Sequence, residues 1–338
     1  MKDFEKILER KKIPAFKYRK RKTKRTMTKK SGEIPEHSRM GVVVGIIGTT
    51  ILVEDLNLDV IDCVTAGIVI TKNENQSIVA VGDVVYFLAD EKHSKSSGTI
   101  IRVEDRENHF SRKEVGYEKE DVIAANIDKL LIMLSVKSPK YNKRLLDRFL
   151  VTAELNGVEP IIFINKIDLG NRDELNSDFE IYKELNYKFY IISAKERIGL
   201  EMVEEELKNS ICVLSGPSGS GKSTFINALL DKEGLTVRET SRKTNKGKHT
   251  TSAVNMFMLP NGGKIIDTPG VREFGIWGLE KNDVALYFHE FDEYNPKCKY
   301  YPCSHTHEPD CAVIEAVENG LIDIERYESY LNLYDSLK

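Results

Sequence analysis

No segment of this 338-residue chain is apolar for long enough to cross a bilayer as a helix. The longest apolar stretch, Gly41 to Val53, is 13 residues broken by glycines and threonines, whereas a membrane helix needs about 20. The N-terminus opens on Lys2, Asp3, Glu5 and Lys6 and lacks the apolar core of a secretory signal. A cytoplasmic location with no membrane partner is therefore expected. Cysteine is sparse and odd in number, at 63, 212, 298, 303 and 311, which argues against a disulfide framework. No internal repeat is visible. What is there is an ordinary globular balance of 41% hydrophobic and 30% charged residues, which excludes a wholly disordered chain. The length predicts two or three domains.

Charge is unevenly spread beneath a net of −3. Residues 1–40 carry 15 Lys/Arg against 5 Asp/Glu, and Lys11 to Lys30 holds eleven basic residues and no acidic one. Such a run predicts a flexible arm (1–37) that contacts a polyanion, RNA above all, by releasing counterions from phosphates. A purely solubilising tail is the alternative.

From Gly41 the texture becomes short β-rich runs: 41–50, 50–54, 60–64, 68–71, 77–81, 83–88 and 99–103. They predict a small all-β barrel over 38–110, of the five-stranded OB type that often binds oligonucleotides. A barrel that serves only as an interface fits the same pattern. From 111 to 275 strand and helix alternate: strand 130–134, helix 143–155, strand 160–164, helix 173–185, strand 188–192, helix 200–207, strand 211–214. That is the pattern of a doubly wound α/β sheet. A helical segment with clustered cysteines fills 276–338.

The strongest local signal is Gly216-Pro217-Ser218-Gly219-Ser220-Gly221-Lys222-Ser223, followed by Thr224. It fits the phosphate-binding loop G-x-x-x-x-G-K-[ST], after an apolar strand and before a helix. The glycines let backbone amides turn inward around phosphates. Lys222 would reach the β- and γ-phosphates, and the Ser223 hydroxyl would ligate Mg²⁺. Asn165-Lys166-Ile167-Asp168 ends another apolar strand and looks like the guanine-reading N-K-x-D motif. One carboxylate at 168 can accept from guanine N1–H and N2–H₂, a donor pair adenine lacks. Ser193-Ala194-Lys195 resembles the companion S-A-K motif.

Downstream, Asp267-Thr268-Pro269-Gly270 resembles D-x-P-G. Asp267 would hold Mg²⁺ through water and the Gly270 amide would sense the γ-phosphate. Between lies Gly247-Lys248-His249-Thr250-Thr251, where Thr251, or alternatively Thr250, would complete the Mg²⁺ shell. Val271 stands where many GTPases carry a water-orienting glutamine, so slow intrinsic hydrolysis is expected. His249 is the candidate to position water, or else it contacts a partner. The guanine motifs precede the phosphate loop and the switch motifs follow it. An ordinary GTPase runs the other way, so the chain reads as a circular permutation. The second switch would then feed directly into the C-terminal domain.

Cys298, Cys303, His305 and Cys311 form C-x₄-C-x-H-x₅-C, a ligand set suited to one closed, structural Zn²⁺. His307 competes with His305 for the fourth position. Cys63 and Cys212 lie in apolar runs and read as small core residues.

Together these features resemble the ribosome small-subunit-dependent, circularly permuted GTPase family, over roughly residues 38–335. Further matching stretches are Val81–Val85, Ala124–Asp128, 247–251, 270–274, 308–313 and 326–330. The family's loop usually reads S-G-V-G-K-S-S, so Ser220 and Thr224 depart from it. The resemblance implies a monomeric GTPase with GTP/GDP, Mg²⁺ and one zinc, bound to the 30S subunit and stimulated by it. Its arm, barrel and zinc domain would contact 16S rRNA, and it would act in late subunit maturation and assembly-factor release. Two other readings stay open: a non-catalytic RNA-binding protein that only senses nucleotide, and a P-loop ATPase, which Asp168 disfavours.

Overall fold

The computed structural model describes residues 34–70, 77–90, 97–113, 120–230, 254–268 and 276–337. The basic run 11–30, the stretch 247–251 and residues 269–275 lie outside them.

Five strands form the N-terminal barrel: β1 (Arg39–Ile47), β2 (Thr50–Asp55), β3 (Val60–Ile70), β4 (Val84–Asp90) and β5 (Ser97–Val103). Their order is β1-β2-β3-β5-β4, and β4 returns to β1 through Arg39↔Phe87 to Val42↔Val84. This closure removes the sheet edges. Alternation drives it: β2 buries every second residue, and Val43, Val53, Cys63, Val85, Phe87 and Ile100 fill the interior. The runs expected at 60–64 and 68–71 fall in one strand, Val60–Ile70, with residue 71 outside the described residues. The run at 77–81 is not a strand, because the Ala80 N–H donates to the Asp83 carboxylate instead of to a ladder.

A hairpin that the sequence did not signal, β6 (His109–Lys113) with β7 (Glu120–Ala125), follows the barrel. Here two of the matching stretches find their role. Val81 bridges Ala124, and the Asn126 side chain donates to the Gly82 carbonyl at 3.0 Å. Gly82 has φ +94° and lies so close that a Cβ would sit 2.1 Å from the Ala125 carbonyl oxygen. Asp83, fully buried, holds Arg106 through both carboxylate oxygens at 2.7 and 2.8 Å. The stretches 81–85 and 124–128 thus lock the barrel to the chain that enters the next sheet.

That sheet runs β10 (Lys188–Ile191), β9 (Glu159–Asn165), β8 (Lys129–Ser135), β11 (Ile211–Ser215), β13 (Lys264–Asp267), β12 (Val254–Met258). All pairs are parallel except β12–β13. β12 also pairs with β1, so barrel and α/β sheet are continuous. Helices α1 (Lys143–Leu155), α2 (Arg172–Asp178), α3 (Glu180–Glu184), α4 (Leu200–Leu207) and α5 (Lys222–Leu230) cover the sheet. Buried strand β8 shows the two faces: Leu130, Ile132 and Leu134 join Leu146 and Phe149 of α1, while Leu131 and Met133 join Leu200, Val203 and Phe225. The permutation leaves this sheet whole. The strands of the early motifs lie on one side of β11, and those of the late motifs on the other.

The C-terminal segment is built from 3₁₀ turns (Lys281–Tyr287, His289–Phe291, Asn295–Lys297) and helices α6 (Ala312–Glu318) and α7 (Ile324–Ser336). Helix α7 lies against α1. Arg326, 2% exposed, reaches Asp147 at 2.5 Å and Glu290 at 2.7 Å, with its guanidinium 4.7 Å from the Phe288 ring centroid. Burial works against the Arg326 charge, but the Asp147 and Glu290 carboxylates outweigh it and raise its pKa. Removing one partner of such a pair typically costs about 3–5 kcal/mol. No helix among the described residues is long and apolar enough to cross a membrane.

Beside it, His289 bonds the buried Glu154 carboxylate at 2.7 Å, with Asp292 at 3.6 Å. The bond to Glu154 raises the His289 pKa, against burial, which lowers it. A raised histidine stabilises fully below its unfolded value of about 6.5 and loses that contribution as pH climbs through the folded value. Because His289 is half-exposed, the effect should stay below about 1 kcal/mol. Between pH 6 and 8 the thermal midpoint should fall more for the unaltered chain than for His289→Gln. Equal falls would remove His289 from the interface energetics.

Candidate nucleotide and metal sites

The motif residues converge at the C-terminal edge of the parallel sheet, where strand order reverses about β11. Open α/β sheets bind ligands at such edges. Asn165 is the last residue of β9 and is buried. Its side-chain nitrogen donates to the Ser220 carbonyl at 3.0 Å, and its oxygen accepts from the amides of Lys166 (2.8 Å) and Ala194 (2.9 Å). One side chain thus joins the three motifs. Gly221, with φ +98°, admits it: a Cβ there would sit 2.3 Å from the Asn165 nitrogen.

Lys166 has φ +67° and lies across the loop, donating to the carbonyls of Gly219 (2.7 Å), Ser138 (2.5 Å) and Lys137 (3.1 Å). Ile167 is buried, and its amide donates to Ile192 at 3.1 Å. The Asp168 carboxylate accepts from the Ser193 hydroxyl at 2.6 Å, which fixes its orientation at the exposed rim. The Ser193 oxygen also accepts from the Glu196 amide. Lys195 projects into solvent and pairs with Glu196.

The loop 216–221 joins β11 to α5. Gly216 is packed so tightly that a Cβ would meet the Met133 carbonyl oxygen at 2.1 Å. Ser218, Gly219, Ser223 and Thr224 are exposed, and Pro217 is half-buried. Ser220 is buried with no partner for its hydroxyl among the described residues. That is the consequence of serine where the resembled family's loop usually carries valine. The Lys222 ammonium donates to the carbonyls of Gly216 (2.7 Å) and Pro217 (3.0 Å). Burial pushes its pKa down, opposed by Asp267, and burial pushes the Asp267 carboxyl up, opposed by Lys222. Asp267 ends β13, and the adjacent Thr268 hydroxyl donates to the Leu214 carbonyl at 2.9 Å. Gly270, His249, Thr250 and Thr251 lie outside the described residues. Two supports escaped the sequence reading: Thr268, and the Lys137 and Ser138 carbonyls that receive Lys166. Neither carries a spacing signal of its own.

In the C-terminal segment the ligand atoms of Cys298, Cys303, His305 and Cys311 all lie within 4.8 Å of one another. The His305 Nδ1 is 3.4 Å from the Cys311 sulfur and 3.6 Å from the Cys298 sulfur. Cys311 is 3.8 Å from Cys298 and 3.7 Å from Cys303. His305, not His307, joins the cluster; His307 is exposed and bonds the Thr306 hydroxyl. Helix α7 supports the loop from behind, with the Tyr327 hydroxyl donating to the His305 carbonyl and the Tyr330 hydroxyl to that of Ser304. The group suits one small metal ion, and Cys63 and Cys212 are core residues.

Comparison with known proteins gives the same picture. The sequence pattern of the RsgA GTPase family matches residues 103–277. The chain is 44% identical over 303 residues to the small ribosomal subunit biogenesis GTPase RsgA of Chlorobaculum parvum, covering 88% of this chain and 97% of that protein. The relative of the same name from Chlorobaculum tepidum matches with the same identity and coverage. Among solved structures, YjeQ from Thermotoga maritima superposes with a TM-score of 0.67 at 32% identity, over 89% of this chain and 98% of that one. YloQ, a circularly permuted GTPase, superposes at 0.64 with 26% identity, over 89% and 96%. With its barrel, its permuted sheet and its Cys₃His cluster, this chain belongs to the RsgA GTPase family.

Proposed function

We propose that this chain binds the small ribosomal subunit and hydrolyses GTP to GDP and phosphate during the subunit's late maturation, with the subunit as stimulus. The observation that carries the nucleotide assignment is the tie between motifs: Asn165 and Lys166 are hydrogen-bonded to the backbone of the phosphate loop at Ser220 and Gly219. Base recognition and phosphate binding then share one rigid frame.

In this reading Asp168 accepts from guanine, with Ser193, Ala194 and Lys195 shaping the base pocket. The loop 216–221 cradles the phosphates, and the Lys222 ammonium leaves its two loop carbonyls for phosphate oxygens. Ser223 and Thr251 ligate Mg²⁺, Asp267 reaches it through water, and Gly270 senses the γ-phosphate. His249 positions the attacking water, because Val271 cannot. The Cys₃His ion is zinc. Tetrahedral bonds of about 2.3 Å to sulfur and 2.05 Å to nitrogen place sulfurs about 3.8 Å apart and S···N about 3.6 Å apart; four of the six edges measure 3.4 to 3.8 Å, and the whole group lies within 4.8 Å. The chain divides into an arm (1–37), a barrel (38–110), a permuted GTPase domain (111–275) and a zinc domain (276–338). It acts as a monomer on 16S rRNA.

The test is GTP turnover by the zinc-replete protein, alone and with 30S subunits. Stimulation by 30S, reduced about 10²- to 10⁴-fold in His249→Ala, is the range for a group that handles the proton and the water. Turnover unchanged by the subunit would remove the ribosomal trigger.

A further inference from the structure

The tip of the metal loop presents Tyr301 at 93% exposure beside Tyr300 at 46%. No other large hydrophobic side chain among the described residues exceeds Leu321 at 65%. The tyrosines sit between two metal-cluster residues, Cys298 and Cys303, so the cluster pins both ends of their segment. The following turn is pinned as well. The Glu308 carboxylate accepts from the amides of Ser304 (2.7 Å), Thr306 (3.2 Å) and His307 (3.3 Å), and Tyr330 holds the Ser304 carbonyl. A ring held on so fixed a backbone loses little conformational entropy when it is covered.

The surroundings select the partner. Residues 295–307 contain Lys297 and Lys299 and no acidic residue. Lys297 pairs with Glu293 at 3.0 Å and Lys299 with Asp310 at 2.5 Å, with all four side chains more than half exposed. Exposed pairs of this kind contribute little, so the lysines can exchange carboxylate for phosphate. A protein contact would favour an apolar rim around the rings. Here the residues adjacent in sequence are mainly polar, with Lys299 over the Tyr300 ring at 5.6 Å, and the nearby acidic groups Glu293 and Asp310 are the ones already paired with the two lysines. Flat aromatic faces flanked by exchangeable lysines match single-stranded nucleic acid, in which bases stack and phosphates pair with cations.

We propose that Tyr301 is a stacking platform for an unpaired RNA base, with Lys297 and Lys299 on the flanking phosphates. This rests on the reading that the partner is a ribosomal subunit.

The experiment measures affinity of the full-length, zinc-loaded chain for 30S subunits and for a single-stranded oligouridylate. Tyr301→Ala is expected to weaken both by about 5- to 100-fold, the span of single stacking contacts, with zinc content and GTP affinity unchanged. Tyr301→Phe should stay within about twofold, and Tyr301→Leu, which has no π face, should fall with alanine. Tyr301→Trp should show indole quenching as the oligonucleotide is added, above the Trp277 background. Equal affinity of the unaltered chain and Tyr301→Ala overturns the inference and leaves the ribosomal reading standing. Leucine performing as well as phenylalanine points to an apolar protein contact and overturns it too. Failure of the unaltered chain to bind 30S subunits overturns the ribosomal reading and this inference together.

Discussion

Asp168→Asn is expected to exchange the preferred base from guanine to xanthine. The carboxylate follows the end of β9 at the exposed rim, and the Ser193 hydroxyl holds one oxygen at 2.6 Å. In the proposed site it accepts from guanine N1–H and N2–H₂. An asparagine keeps an acceptor for N1–H but turns a donor toward N2–H₂, where two donors meet and neither is satisfied. Xanthine carries an oxygen at that position and restores the pair. Sites that read a base edge by buried hydrogen bonds discriminate by about 10⁴-fold, so GTP affinity should fall by roughly that order while XTP affinity rises. Competition of GDP and XDP against a labelled nucleotide measures both. The substitution leaves the Asn165 and Lys166 ties intact, so the thermal midpoint should not move. Unchanged GDP affinity at an unchanged midpoint would show that Asp168 does not read the base.

The motifs could be read from sequence because each is local. The loop Gly216–Ser223, the tetrapeptide Asn165–Asp168 and the Cys₃His spacing place their groups within one turn or one knuckle, so spacing alone fixes the geometry. Helix 143–155 was legible for the same reason, with Asn142 capping it through the Leu145 amide. Features set by distant partners were not legible. The helix expected over 173–185 is broken at Phe179, which ends α2 and starts α3. Its ring is fully buried and stacks on Phe189 at 5.2 Å, so core packing overrides helical continuity. The stretch 326–330 stood out in the sequence, but nothing there announced that Arg326 reaches Asp147, 179 positions earlier. The junction stretches 81–85 and 124–128 likewise became intelligible only when the fold brought Gly82 against Ala125. Close backbone approach leaves a glycine in the sequence but does not name its neighbour.

Stripping the metal, or replacing Cys311 by alanine, should unfold the metal loop and leave the nucleotide site working. Residues 298–311 contain no helix or strand to hold them; their order comes from the four ligands, the Glu308 carboxylate, the exposed Lys299–Asp310 pair and the two tyrosine hydroxyls of α7. Structural zinc contributes an apparent 10–16 kcal/mol to small Cys/His folds, comparable to the whole stability of a typical domain at about 5–15 kcal/mol. The hydrogen bonds that remain, at about 1 kcal/mol each, do not offset that loss. Helix α7 should nonetheless stay docked, because Arg326 is held by Asp147 and Glu290, outside the metal loop. The expected result is zinc content falling from one to near zero per chain and rapid proteolysis within 298–311. GDP affinity should be retained within about threefold, and 30S binding weakened at least as much as by Tyr301→Ala, about 5- to 100-fold, if Tyr301 works as proposed. Loss of the proposed zinc with the loop still protected from protease would show that the ion is dispensable to the fold. A chain that loses GDP binding as well would show that the metal loop and the nucleotide site form one cooperative unit, with the α1–α7 contact as the joint between them.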